Sequence, residues 1–492
     1  MRPRLKYLAF ALIAIYAILL IPAPTPVPPA AGENKTFAWQ QDEYWTGLEA
    51  RFRAARSGSC DSSSARIDTL FARQARLVAS LEAQNFDPAA PIFAEIESHF
   101  FTLAPLVAAC PAHLQDYVEL QSRLRAAVKR QSQHWNLVAA EARGRLYRLL
   151  YGSRAAVEEA MLQAPVDSWP ALAAGVDEPS QTPAANVLGV TIHSGDILVS
   201  RGGAPTSALI ARGNDYPGNF SHIALVHVDE QTRLASIVEA HIERGVAIAT
   251  LEEYLRDKKL RVMVLRLRAD LPALTADAML PHRAAGHALQ EARNRHIPYD
   301  FEMDFRAHDK LFCSEVASAA YEQFGVDLWM GISRISSPGV RSWLAAFGVK
   351  HFETQEPADL EYDPQLRVVA EWRDPETLWQ DHVDNAVIDA MLEGAEHGGP
   401  LPYAWHKLPP ARIAKAYSVL LNAFGRAGPI PEGMNATAAL RNDQFTKTHL
   451  ALKETVLRAA QAFEREKGYR PPYWELVKLA RAALGRQSEG KS

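Results

Sequence analysis

The feature that most constrains the fold is a change of texture after residue 187. Five short runs rich in Val, Ile and Leu follow one another there: DILVS (196–200), HIALVHV (222–228), ASIVEAHI (235–242), GVAIAT (245–250) and RVMVLRLR (261–268). Several are bounded by Gly, Asp or Asn, the punctuation expected of strands in a mostly antiparallel sheet. Two helical patterns come next, about Ala276–Arg295 and Leu311–Phe324, and RVVAEW (367–372) adds a further strand-like run. Strands first and helices afterwards predict an α+β domain rather than a doubly wound one.

The flanks read differently. At 492 residues the chain is long enough for two or three packing units. Between 40 and 165 apolar residues recur at three- and four-residue steps, as in Ile67, Leu70, Phe71, Leu77, Val78 and Leu81. Interruptions at Asn85–Pro91 and Ala104–Pro111 suit turns, so a helical hairpin or small bundle is expected. Helical patterns return from about 376 to the C-terminus. The expected organisation is a leader or anchor at 1–31, a helical domain at 32–165, a Pro-rich linker at 166–186, the α+β domain at 187–372 and a helical region at 373–492.

Arg2, Arg4 and Lys6 precede an uncharged run from Tyr7 to Ile21, and PAPTPVPPAA follows at 22–31. Basic residues, about 15 apolar ones and then helix breakers form the layout of a secretory signal. The run is short for a membrane-spanning helix, which needs about 20 residues. Prolines crowd the candidate cleavage positions, so an uncleaved anchor on the inner membrane is the alternative. Both place the remaining chain in the periplasm or on the outer face of that membrane. The three cysteines fit export: Cys60 and Cys110 are candidates for a disulfide, which leaves Cys313 as an odd, reactive thiol.

Function classes can be excluded as well. A net charge of -4 with no basic stripe gives no electrostatic case for nucleic acid. The chain has no H-E-x-x-H, C-x-x-C or G-x-S-x-G motif. His193, His222, His227 and His241 lack ligand spacing, so neither a metal nor a cofactor is expected.

The chemistry concentrates in KLFCSEVASAAYEQFGV (310–326). Cys313, Val316, Ala317, Ala320, Tyr321 and Phe324 share one helix face, which puts Cys313 in the first turn pointing inward. A helix N-terminus favours the thiolate, so a lowered thiol pKa is expected there. A thiolate nucleophile needs a base and an orienting group. His222 opens a strand after the loop GNDYPGNFS, where it can face a helix end, whereas His227 and His241 sit deeper in strands and read as exposed or satisfied. Glu239 is a carboxylate inside an apolar strand and needs a partner, for which imidazolium is well suited.

GDILVSR (195–201), FSHIALV (220–226), IVEA (237–240), IPYD (297–300) and FCSEVASAAY (312–321) together resemble the permuted papain-like cysteine hydrolases, the YiiX/YebB-like branch of the NlpC-type superfamily. In that branch the His strand precedes the Cys helix, as His222, Glu239 and Cys313 do here. The resemblance covers about 187–350 and extends to 372. It implies a permuted papain-like domain in which Cys313 is the nucleophile, His222 the base and Glu239 the residue holding the imidazole. Tyr299 and Asp300 match a pair that lines the region before the Cys helix, and Asp196 matches a turn before the first strand. The implied reaction is attack on an amide, ester or thioester carbonyl through an acyl-enzyme. Peptidoglycan peptides or lipid-linked acyl groups are the expected substrates. Two alternatives stand beside it: a catalytically silent envelope scaffold, and an acyltransferase using the same thiol.

Overall fold

The structure, a computed structural model, describes residues 3–30, 35–37 and 42–489. Its centre is a seven-stranded sheet, antiparallel at every step, in the order β1-β11-β8-β4-β5-β6-β7. The strands are β1 (Leu172–Ala174), β4 (Ile197–Gly202), β5 (His222–Val228), β6 (Ala235–His241), β7 (Gly245–Thr250), β8 (Lys259–Leu267) and β11 (Leu366–Trp372). Two small two-stranded sheets stand apart from it, the hairpin of β2 (Ala184–Val187) with β3 (Val190–His193), and β9 (Ser333–Arg334) with β10 (Glu353–Thr354). All five strand-like runs and RVVAEW are strands, so the α+β expectation holds.

Side-chain alternation gives the sheet two apolar faces. Ile223 and Leu225 of β5, with Val238 and Ala240 of β6, pack under α10 (Leu280–Asn294) and α11 (Cys313–Glu322). Ala317 and Ala320 are the small residues that let α11 lie close to β5. The intervening residues Ala224, Val226 and Ile237 face the β2–β3 hairpin and Tyr254 of α8 (Leu251–Arg256).

Helices enclose this core. Before the sheet come α1 (Pro3–Leu19), α2 (Asp42–Ser57), α3 (Cys60–Ala83), α4 (Pro91–Ala109), α5 (Leu114–Gln131) and α6 (Ala140–Gln163). Within and beside it lie α7 (Pro205–Arg212), α9 (Pro272–Ala276) and α12 (Pro338–Phe347), and after it α13 (Pro375–Glu396), α14 (Leu408–Ala423), α15 (Ala436–Lys467) and α16 (Tyr473–Glu489). Cys60 and Cys110 are joined, tying the start of α3 to the end of α4. Among the described residues, the one helix long and apolar enough to cross a membrane is α4. Its Phe93, Ile96, Phe100 and Leu103 are buried in the helical core, so it is a core helix.

Two expectations need correction. The 104–111 stretch is not a turn: α4 runs through Pro105 to Ala109. Burial of Leu103, Leu106 and Val107 offsets the cost of about 3 kcal/mol that an interior proline imposes. Nor is 166–186 only a linker, because Leu172–Ala174 pairs with Trp372–Ala370 as the sheet's edge. An edge strand tolerates the surrounding prolines because one side needs no ladder.

The helical flanks are fastened to the sheet by buried charge. Arg201 and Arg261 are direct cross-strand partners, an arrangement of like charges that is unfavourable by itself. Asp381 of α13 lies between them, 3.2 Å from Arg201 Nε and 2.6 Å from Arg261 Nη2. Glu158 of α6 accepts two further bonds from Arg261 at 2.6 and 3.0 Å. Arg154 pairs with Glu361 and Glu371, and Arg125 of α5 reaches Glu371 at 3.1 Å. Burial would raise the Glu371 carboxyl, but the surrounding arginines win and hold it well below the usual carboxylate range.

Candidate active site

Three elements converge at one end of the sheet. β5 begins with His222, β6 carries Glu239 and His241 on one face, and the first residue of α11 is Cys313. Glu239 is paired with Ala224 across the ladder, so its side chain reaches past that small residue to the imidazole at the strand's start. His222 Nε2 lies 2.7 Å from Glu239 Oε2, and His241 Nε2 lies 3.2 Å from Oε1. One carboxylate thus holds two imidazoles, whose ring centroids are 5.9 Å apart. Burial would raise Glu239, yet hydrogen bonds and charge from both histidines outweigh it and keep the carboxyl far below its ordinary value.

Cys313 abuts the main chain on both sides of His222. Its Sγ is 3.9 Å from the Ser221 carbonyl, and the Ile223 N–H is its nearest backbone donor from β5. Among the described residues no hydrogen bond joins the thiol to the imidazole. The physical reason is strand phase: Ile223 and Leu225 face α11, whereas His222 alternates with them and turns toward Glu239. His222 Nδ1 makes no hydrogen bond within the described residues and is the ring nitrogen open to a proton.

The thiol's ionisation corrects the sequence expectation. Burial pushes Cys313 up to about 12, against the pull of the Ile223 and Ser314 N–H groups, and Glu356 adds to the rise. Desolvation of the thiolate therefore exceeds what the helix terminus supplies in this arrangement. Cys313 here is a neutral thiol, 5% exposed.

The supporting residues divide. Tyr299 is raised well above the ordinary phenol value, first by burial and then by Cys313, Asp300 and Glu315, so it borders the thiol. Asp300 accepts from the Glu302 and Asp304 N–H groups at 2.9 and 2.6 Å and shapes the loop before α11. Asp196 does not join the site. It takes a two-pronged bond from Arg266, 2.8 Å in each arm, and the Tyr321 hydroxyl donates to the adjacent Gly195 carbonyl. Tyr321 is near the C-terminal end of α11, about 12 Å from the Cys313 end at 1.5 Å per residue. Asp196 is a turn residue, as its position before a strand suggests.

Two participants lie outside the predicted trio. His241, read as exposed or satisfied, is satisfied by Glu239, two residues away on the same strand face. Glu315 is fully buried, and its Oε2 accepts from the Phe312 N–H at 2.8 Å. Burial, with Asp300, Asp304 and Asp309 nearby, pushes it up to about 9, so it is a neutral acid at the mouth of α11. Its place three residues past Phe312 is the capping-box spacing. Among the described residues no group of His, Cys, Asp and Glu has the arrangement of a metal site.

Residues 191–370 match a family described as permuted papain-like amidase enzyme, YaeF/YiiX, C92 family. No curated protein gives a significant match to the chain. The α+β core is therefore a permuted papain-like domain of an amidase family, and hydrolase is the class of activity that goes with it.

Proposed function

We propose that the domain is a cysteine hydrolase of the cell envelope, cleaving an amide, ester or thioester bond with Cys313 as nucleophile, His222 as base and Glu239 as the residue that orients the imidazole. The observation that carries this reading is the His222–Glu239 bond at 2.7 Å, made by a residue whose two main-chain neighbours touch the thiol. Glu239 fixes Nε2, which leaves Nδ1 to receive the thiol proton. The thiolate then adds to the carbonyl carbon, the imidazolium returns its proton to the leaving group, and the acyl group stays on sulfur. Water, deprotonated by the same imidazole, releases the acid and restores the thiol. In this reading the backbone N–H of Cys313, in the first turn of α11, stabilises the oxyanion. Since the resting thiol faces Ser221, substrate binding must bring sulfur and Nδ1 together. Catalytic hydrogen bonds that tighten only in the complex are common.

The envelope location rests on the basic, apolar and Pro-rich order of residues 2–31 and on the Cys60–Cys110 bond, which suits an oxidising compartment. Peptidoglycan peptides or lipid-linked acyl groups are the substrates available there. In this reading α1 is a secretory or anchoring membrane segment.

A second reading has an observation of its own: a buried, neutral thiol without an imidazole contact suits a papain-like domain kept as a binding platform. Incubation with activated esters and muropeptide amides, followed by intact-mass measurement, separates the two. An acyl adduct on Cys313 in the wild type, and its loss in His222→Ala, is the expected result. No adduct with any acyl donor, together with an unchanged cellular phenotype for Cys313→Ala, would establish the platform instead.

A further inference from the structure

α14 is poorly covered by the rest of the molecule. Of Leu408–Ala423 only Leu408, Pro409 and Ser418 are buried. Ile413, Tyr417, Leu420 and the following Phe424 are 65%, 54%, 56% and 74% exposed. They recur at steps of four, three and four residues, so they form one continuous stripe along the helix. A contiguous apolar face of this kind marks an interaction surface.

Two further observations identify what meets it. The first is charge. Residues 397–431 contain no Asp or Glu but hold Lys407, Arg412, Lys415 and Arg426, a local excess of four positive charges in a chain whose net charge is -4. The second is position. α14 packs beside α1, and the Arg412 guanidinium donates to the Ile21 carbonyl just beyond α1. α1 itself exposes Phe10, Ile13 and Ile18, so the two neighbouring helices present apolar surface together.

We infer that α14 is a membrane-surface helix, its Ile413–Tyr417–Leu420–Phe424 stripe lying at the acyl boundary of an anionic bilayer alongside α1. A helix with an apolar face, basic flanks and aromatic residues binds in the interfacial plane. Long basic side chains keep their charge at the headgroups while their stems cover apolar surface. A second copy of the chain is a poorer occupant, because a two-fold contact would set the same cations against one another. The inference rests on the membrane reading of α1 proposed above and extends it to a second point of contact. Two contacts fix the molecule's orientation on the membrane, and with it the height of the Cys313 site.

The test uses the full chain in a Cys313→Ser background, carrying an environment-sensitive fluorophore at Leu420→Cys, Phe424→Cys or, as control, Arg458→Cys on exposed α15. Each is mixed with vesicles of phosphatidylethanolamine and phosphatidylglycerol, and flotation and quenching by spin-labelled lipid are both read. Expected are flotation of all three, with blue-shifted emission and several-fold stronger quenching at 420 and 424 than at 458, weakened in phosphatidylcholine vesicles. Flotation with 420 and 424 as exposed as 458 would overturn the inference and leave α1 as a membrane segment. Absence of flotation would overturn both. A blue shift without lipid, accompanied by a crosslinked dimer, would assign the stripe to self-association instead.

Discussion

Two of the protein's buried charge clusters differ in almost every respect. The one joining helices to sheet is extensive: Arg125, Arg154, Arg201, Arg261, Glu158, Glu361, Glu371 and Asp381 are all nearly inaccessible. The other is a single carboxylate, Glu239, between two imidazoles whose side chains are 21% and 18% exposed. In the first, charges from α5, α6, β4, β8, β11, α13 and the Pro357–Tyr362 turn neutralise one another and none faces solvent. In the second, one buried acid holds two partly exposed imidazole rings. Buried ion networks of the first kind specify how parts fit, and isolated acid–imidazole pairs of the second kind prepare proton transfer.

The sharpest way to break this contrast is to exchange one member of each. Glu239→Gln keeps shape but loses the charge that orients His222. Turnover should fall about 100- to 10,000-fold with little change in denaturant midpoint. Equal losses of activity and stability would mean that Glu239 belongs with the structural cluster. Asp381→Ala should do the opposite. It leaves Arg201 beside Arg261 without the acid that lies between them, Arg261 keeping only Glu158, at a cost of about 3–5 kcal/mol seen as a lower guanidinium midpoint. Any activity change should follow the folded fraction. The Cys60–Cys110 bond offers a covalent comparison: Cys60→Ser with Cys110→Ser should remove about 2–4 kcal/mol for a separation of 50 residues while leaving turnover per folded molecule unchanged.

The smallest effect concerns Glu315, which belongs to neither cluster. Its folded pKa of about 9 exceeds the unfolded value, so between about pH 4 and pH 9 the folded state binds the extra proton. Stability from this group is complete below pH 4 and declines as pH rises toward 9. Glu315→Gln, which mimics the neutral acid, should flatten that slope by about 1 kcal/mol in thermal melts at pH 6 against pH 5. An unchanged slope would place the titration elsewhere.

The residues themselves announced one cluster and concealed the other. The strand runs were legible because apolar residues bounded by Gly and Asp have few other uses. Cys313 was legible as a first-turn residue, and Glu239 as a carboxylate in an apolar strand. The structural cluster was hidden because RVMVLRLR reads as a strand and nothing in it tells which acids its arginines meet. Arg261 finds Glu158 only 103 residues away, and no local pattern encodes such a partner. The thiol's ionisation was equally hidden, since a helix start predicts a lowered value while depth of burial, a tertiary property, raises it. Turn signals misled at Pro105 because tertiary packing outweighed the local preference.

The three-residue strand β1 has an effect out of proportion to its size. It covers one side of β11, and Gly175 beside it allows the crossing: a Cβ there would meet the Val368 carbonyl oxygen at 2.0 Å. Without that cover, β11 would offer a row of bare amides and carbonyls to any extended peptide, including the same border on another molecule. Breaking the pairing with Ala173→Pro is therefore expected to make the protein polymerise edge to edge. The short strand's service is to keep each molecule separate from its siblings.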